Sequence, residues 1–399
     1  MSSVAEARDF PASLALPAEV VEIAATLEGA GYETWAVGGA LRDMLLGEGE
    51  SDVDLATAAP PETVQSLFRH TVAVGVKYGT VGVLDRHRRL HEVTTFRRDV
   101  ETDGRHAVVS YGVSLQEDLA RRDFTINALA YHPIRREWAD PFGGREDLGR
   151  GVVRAVGVAV DRFREDYLRI LRGLRFAARF DFEIEPGTWA AGVAEAPGLA
   201  GLSAERVRDE WFKGLRTAKS LARLIGLWRT SGAAAIWLPG LSPEYPGEEA
   251  SPVVRDPVAL TVLLCPEPAR LFQTLRASNQ EAARAAAMVA GPAAPADASP
   301  GSVRRWMAAC GQAVDDLMLL EHYRHRAVPA WVEVVAAIRA RREATARDEL
   351  AITGTDLLAL GIAPGPAIGT ALDRLLDIVL TEPAMNVRER LLEAARAWC

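Results

Sequence analysis

Apolar residues in this chain keep two different rhythms, and the change comes near residue 160. Before it, short runs alternate or stay apolar between glycines: TWAV at 34–37, DVDLAT at 52–57, GTVGVLD at 79–85 and LHEVTTF at 90–96. A period of two marks a strand. Leu16, Val20, Val21, Ile23, Ala24 and Leu27 recur at helical spacing over 15–30, closed by Gly31. A second short helix is expected after Gly38 and Gly39, ending at Gly47. Beyond residue 160, runs such as FREDYLRILRGLRFAARF and AERVRDEWFKGLR repeat at the helical period, and no further strand is expected. Strands followed by helices place the chain in the α+β class. The expected organisation is a head with a mixed β-sheet at 15–150. An all-helical neck (151–216), body (217–345) and tail (346–399) follow.

Bulk properties exclude several classes. The chain has 399 residues, 49% of them hydrophobic, enough for more than one core. No run of 18 apolar residues occurs, so no membrane-spanning helix is expected. The N-terminus lacks a basic stretch leading into an apolar one, so no signal peptide is expected. Cys265, Cys310 and Cys399 are scattered and odd in number, which builds neither a disulfide framework nor a zinc site. That usage points to a reducing, cytoplasmic setting. The net charge of −8, taken alone, weighs against nucleic-acid binding, yet leaves room for a local arginine-rich face that binds RNA.

The densest chemistry lies in VGGALRDMLLGEGESDVDLAT, residues 37–57. Asp52 and Asp54 are two apart on an expected strand, so both carboxylates share one face while Val53 and Leu55 turn inward. Such a pair suits hard cations such as Mg²⁺, which favour carboxylate and phosphate oxygens. Gly38 and Gly39 stand where a strand becomes a helix. There, backbone N–H groups can approach a triphosphate. Arg42, one turn on, can clamp phosphate or a ribose edge. Glu92 is either a third carboxylate near the metal or a solvent-facing strand residue.

A second cluster reads DLARRDFTINALAY at 118–131, and a third reads RFREDYLRILRGLRFAARF at 162–180. The third is expected as one helix, with Asp166 and Arg169 as neighbours on one face. A carboxylate accepts hydrogen bonds and a guanidinium only donates them. On their Watson–Crick edges, cytosine and adenine each offer an amino donor beside a ring-nitrogen acceptor. Uracil and guanine offer the reverse. An Asp–Arg pair can therefore select C and A, since mismatches leave buried groups unpaired.

These strings together resemble the class II tRNA nucleotidyltransferase (CCA-adding enzyme) and bacterial poly(A) polymerase family. GGxxRD, DxD, RRDFTxNA, DPxGGxxDL and EDxxR occur here in that family's order, as does the SxER segment at 203–215. The resemblance implies that Arg122 contacts the incoming nucleotide, with Asp123 and Asn127 supporting the site. It implies base recognition by Asp166 and Arg169, with Arg172 and Arg175 near the triphosphate or the base. Residues 96–118, expected as a full-length polar loop, would help switch addition from C to A. SAERVRDEWFKGL at 203–215 would serve packing. Arg374 in the tail either touches tRNA phosphates or is solvated. No histidine is followed by aspartate, so the phosphohydrolase pair of some relatives is absent. The implied activity is Mg²⁺-dependent addition of C, C and A to the tRNA 3′ end from CTP and ATP, with no membrane partner. Rivals are an A-adding enzyme or poly(A) polymerase, and a tRNA-binding protein that has lost catalysis.

Overall fold

The computed structural model describes residues 8, 10–49, 52–75, 79–102, 107–245, 255–324 and 329–398, with backbone alone at 99–102 and 107–110. Cys399 lies outside the described residues. The chain forms two compact units, Met1–Pro243 and Glu244–Cys399.

The first unit opens with α1 (Ala18–Gly29), whose Val20, Ile23, Ala24 and Leu27 are buried. Then come β1 (Thr34–Val37), α2 (Gly39–Leu46), β2 (Asp54–Thr57), α3 (Pro61–Leu67), β3 (Thr71–Gly75), β4 (Thr80–Leu84) and β5 (Leu90–Thr95). A separate hairpin of β6 (Arg97–Thr102) and β7 (Ala107–Tyr111) precedes α4 (Leu115–Ala120). The short strands β8 (Ala130–Tyr131) and β9 (Trp138–Ala139) complete a seven-stranded sheet, ordered β3-β4-β5-β2-β1-β8-β9. Only β2 and β5 run parallel; every other neighbouring pair in this sheet is antiparallel. The sheet is therefore mixed, as the alternating runs imply. One face packs Trp35, Val37, Ala56, Ala128 and Ala130 against Phe96, Leu119 and Val156.

Helices then take over: α5 (Gly144–Arg150), α6 (Ala159–Glu165), α7 (Leu168–Phe180), α8 (Pro186–Glu195), α9 (Ala204–Thr217), α10 (Leu221–Thr230) and α11 (Ala233–Trp237). The two-residue strands β10 (Val152–Val153) and β11 (Glu183–Ile184) pair in parallel between them. Helix α7 buries Leu168, Ile170, Leu171, Leu174, Phe176 and Phe180, and packs on α9 and α10. Gly173 lets α7 approach Phe124: a Cβ there would stand 3.0 Å from that ring.

The second unit is helical throughout its described residues. Its tail packs Leu350, Ile352, Leu357, Leu375, Val379 and Leu391 into one cluster. Arg374 lies with its guanidinium 5.6 Å from the centre of the Trp398 ring.

Four expectations need correction. The strand expected at 52–57 begins at Asp54, so Asp52 precedes it. The described part of 96–118 is not an irregular loop, because 97–102 and 107–111 pair as β6 and β7 and lead into α4; residues 103–106 of that expected loop lie outside the described residues. A strand does follow residue 160, namely β11. The single helix expected over 162–180 is two, broken at Asp166, whose backbone is extended (φ −158°, ψ 103°).

Candidate active site

The site begins where β1 ends. Val37 pairs with Asp54 across the antiparallel β1–β2 ladder, so the turn into α2 leaves the sheet beside Asp54. Gly38 makes that turn with φ +85°, a conformation that side chains resist. A Cβ at Gly38 would also stand 2.9 Å from Arg122 Nη1. The Gly38 amide itself is occupied, donating to the Leu129 carbonyl at 3.3 Å. The open donors are those of the first turn of α2, as at any helix start.

Asp52 and Asp54 are exposed, with Val53 and Leu55 buried between and after them. The parallel register sets Leu55 opposite Val93. Glu92 therefore stands level with Asp54 on the same face of the sheet. The Asp54 carboxyl is pushed up to about 6, first by desolvation and then by the Glu92 charge. Asp52 adds to this and Arg122 opposes it. A carboxyl that resists ionising beside two other acidic side chains, all hard oxygen donors, suits a divalent cation. Among the described residues, no three His, Cys, Asp or Glu side chains are grouped to hold a metal. Two aspartates would leave most coordination positions to phosphate and water oxygens, as Mg²⁺ prefers.

Beside the turn opens a cleft of about 1020 Å³. Its walls carry Gly39, Asn127, Asp123, Asp166 and eight arginines: 42, 121, 122, 169, 172, 175, 179 and 206. Each arginine is backed by a carboxylate. Arg42 pairs with Asp43 at 2.8 Å, and Arg121 and Arg122 with Asp118 at 2.9 and 3.4 Å. Arg169 pairs with Glu165 at 2.7 Å, Arg172 with Asp123 at 2.7 Å and Arg175 with Glu210 at 2.6 Å. Arg179 pairs with Asp43 at 3.2 Å and Arg206 with Asp166 at 2.6 Å.

These pairings sort the expected residues. Arg42 is buried, and its guanidinium lies 5.0 Å from the Phe176 ring centre and 4.8 Å from that of Phe180. It also donates to the Asn127 carbonyl oxygen of the side chain. Asp123 receives the Asn127 amide at 2.9 Å and its own next backbone N–H at 2.8 Å. Burial pushes the Asp123 carboxyl up, but Arg172 and these donors outweigh it and hold it below its ordinary value. Asp123 and Asn127 thus brace Arg42 and Arg172. Arg122 sends Nη1 to the Asn127 backbone carbonyl at 3.3 Å, while its buried Nε has no partner. Arg175 is also buried, under the Phe176 ring.

Asp166 and Arg169 both reach the cleft, though not as neighbours on one continuous helix. At the break, Asp166 Oδ1 receives the Leu168 N–H at 3.1 Å, in the manner of a cap. Arg169 donates to the Arg162 carbonyl at 3.1 Å and the Arg121 carbonyl at 2.9 Å. It thereby ties the end of α6 to the RRD segment. The Gly143–Gly144 turn is structural: a Cβ on Gly144 would fall 2.1 Å from the Thr125 carbonyl oxygen.

Sequence reasoning missed Arg121, Arg179 and Arg206. Arg179 continues the Arg172–Arg175 series one turn further along α7, which was the available signal. Arg206 sits in the segment read as packing. That segment does pack, through buried Val207, Trp211 and Leu215, but its other face carries Arg206 and Glu210 to the site.

Residues 34–154 match the poly A polymerase head domain. Residues 181–244 match the RNA and SrmB-binding site of polymerase A, and 259–395 match tRNA nucleotidyltransferase domain 2. The CCA-adding enzyme of Leuconostoc mesenteroides is 50% identical over 203 residues, spanning half of each chain. That of Lactiplantibacillus plantarum is 35% identical, covering 96% of this chain and 97% of its own. The crystal structure of the Bacillus stearothermophilus CCA-adding enzyme in complex with CTP superposes with a TM-score of 0.80. It is 31% identical, over 95% of this chain and 96% of that one. The chain belongs to the CCA-adding enzyme family, the tRNA nucleotidyltransferases built on a poly A polymerase head.

Proposed function

We propose that this protein adds C, C and A, without a nucleic-acid template, to the 3′ end of tRNA. The tRNA 3′-hydroxyl attacks the α-phosphate of CTP or ATP, the bond to the β-phosphate breaks, and pyrophosphate leaves. The observation that carries this reading is one arginine-lined cleft that has Asp166 and Arg169 on its wall and whose Arg122 acts on the Asp54 carboxyl.

Asp52 and Asp54 are the residues that would hold a divalent ion, Mg²⁺ in this reading. That ion supplies Lewis-acid stabilisation of the reacting phosphate and a lower pKa for the attacking hydroxyl. Glu92 keeps the local potential negative beside them. Arg122 and the first turn of α2 receive the triphosphate, with Arg172 and Arg179 also lining the cleft. Arg42 and Arg175, nearly buried where they line the wall, hold its shape. Asp166 accepts the exocyclic amino group of C or A, and Arg169 donates to the ring nitrogen. UTP and GTP present the reverse pattern and leave both residues unpaired.

The head, neck, body and tail division at residues 150, 216 and 345 goes with this reading, the catalytic and base-reading parts lying in the first two. No helix among the described residues is long and apolar enough to cross a membrane. Cys265 and Cys310 are free thiols, in keeping with a reducing cytoplasm.

The test uses purified protein, Mg²⁺ and tRNA lacking its 3′ terminus, with nucleotides given singly and together. Sequential C, C and A addition is expected. Incorporation of A alone, on tRNA ending in CC, would replace this reading with the A-adding one. No incorporation on either tRNA would end the enzymatic reading.

A further inference from the structure

Asp166 sits at the break between α6 and α7, outside both helices, so helical packing does not fix its side chain. Two contacts do. Oδ1 takes the Leu168 backbone N–H at 3.1 Å, and Oδ2 takes Arg206 Nη2 at 2.6 Å. The first is local and tolerates rotation of the carboxylate about the cap. The second comes from α9, forty residues on, and closes the remaining freedom. Arg206 also lines the cleft, so the pair lies at the wall itself.

We infer that Arg206 is a positioning residue for base selection: it holds the Asp166 carboxylate in one orientation. This rests on the base-reading role given to Asp166 above. A carboxylate has lone pairs for more than two donors, so Oδ2 can keep Arg206 while it receives a nucleobase amino group. Loss of Arg206 therefore relaxes the aim of the reader.

The test measures incorporation of CTP, ATP and UTP by Arg206→Met, Arg206→Lys, Asp166→Asn and the Asp166→Asn/Arg206→Met double variant. Thermal melting and tRNA binding serve as folding controls. For Arg206→Met, KM for CTP and ATP should rise on the order of tenfold, the usual weight of one charge-assisted hydrogen bond, with kcat changed less. Preference for CTP over UTP should narrow by a similar factor. Arg206→Lys should restore part of both, and the double variant should discriminate no worse than Asp166→Asn alone. An equal fall in kcat for all three nucleotides, with selectivity intact, would overturn the inference and leave Arg206 a structural or phosphate-binding residue. Unchanged selectivity in Asp166→Asn would instead remove the base-reading assignment itself. Relaxed selectivity in Asp166→Asn with normal selectivity in Arg206→Met refutes the positioning role alone.

Discussion

Asp54 and Glu92 stand level on adjacent parallel strands, and the Glu92 charge is felt at the Asp54 carboxyl. The Asp54 pKa of about 6 lies above its ordinary value of 3.8. A raised carboxyl favours folding at acid pH and loses that contribution as pH rises through the folded value. Asp54→Asn should therefore raise the melting temperature of metal-free protein at pH 8 and leave it unchanged at pH 3. Melting scans at the two pH values check this. The same substitution, or Asp54→Ala, should cut incorporation on the order of a thousandfold or more, since metal-ion catalysis is worth several kcal/mol. tRNA binding, read by filter retention, should persist.

Gly38→Ala meets two obstacles at once. It puts a side chain at φ +85° and a methyl carbon 2.9 Å from Arg122 Nη1. Stability should fall by about 1 kcal/mol or more from the backbone alone. Displacing Arg122 should raise KM for both CTP and ATP, because the effect falls on the triphosphate that they share. Steady-state kinetics with each nucleotide distinguishes this from a base-specific defect.

Arg169→Ala removes a proposed base donor and also a tie between α6 and the Arg121 carbonyl. UTP misincorporation should rise relative to CTP, by about 10- to 100-fold for one lost pairing in a closed site. Primer extension with mixed nucleotides reads the ratio. Unchanged selectivity would strip Arg169 of its reading role and leave only the structural one.

Glu210→Ala should destabilise the first unit by about 3–5 kcal/mol, the usual cost of leaving a buried charge without its partner. Arg175 is the stranded group, 8% exposed and 2.6 Å from Glu210. Replacing both by Met and Leu should recover most of the loss. Urea unfolding of the two variants, against the parent, gives the difference.

The head was legible because its strands alternate and its glycines stand at the ends of elements. TWAV is β1 to the residue, and Gly47 ends α2 in a left-handed conformation, as a helix-terminating glycine should. The break at Asp166 was not legible, since neither Pro nor Gly marks it. Beside it Tyr167 lies against Gly198, where a Cβ would fall 2.2 Å from the ring, a contact between positions 31 residues apart that local spacing does not announce. The paired aspartates and the RRD segment declared themselves through local spacing. Arg206 did not, because an arginine on an exposed helix face looks the same whether it meets water or a carboxylate forty residues away. Arg175 is a further case: the family resemblance put it near the substrate, and what no local pattern announced is its buried partner Glu210, thirty-five residues on.

Eight arginines around one cleft suggest a deep positive well, yet six carboxylates stand against them, with Asp43 and Asp118 each serving two arginines and Asp123 and Asp166 themselves on the wall. Electrically, the wall is closer to a set of paired charges with a small positive excess. The pull of a dipole fades faster with distance than that of a charge, and salt screens what is left beyond about 8 Å. In the function proposed above, such a wall would act on a triphosphate at contact range. In a protein of net charge −8, its attraction for phosphate is thus short-ranged.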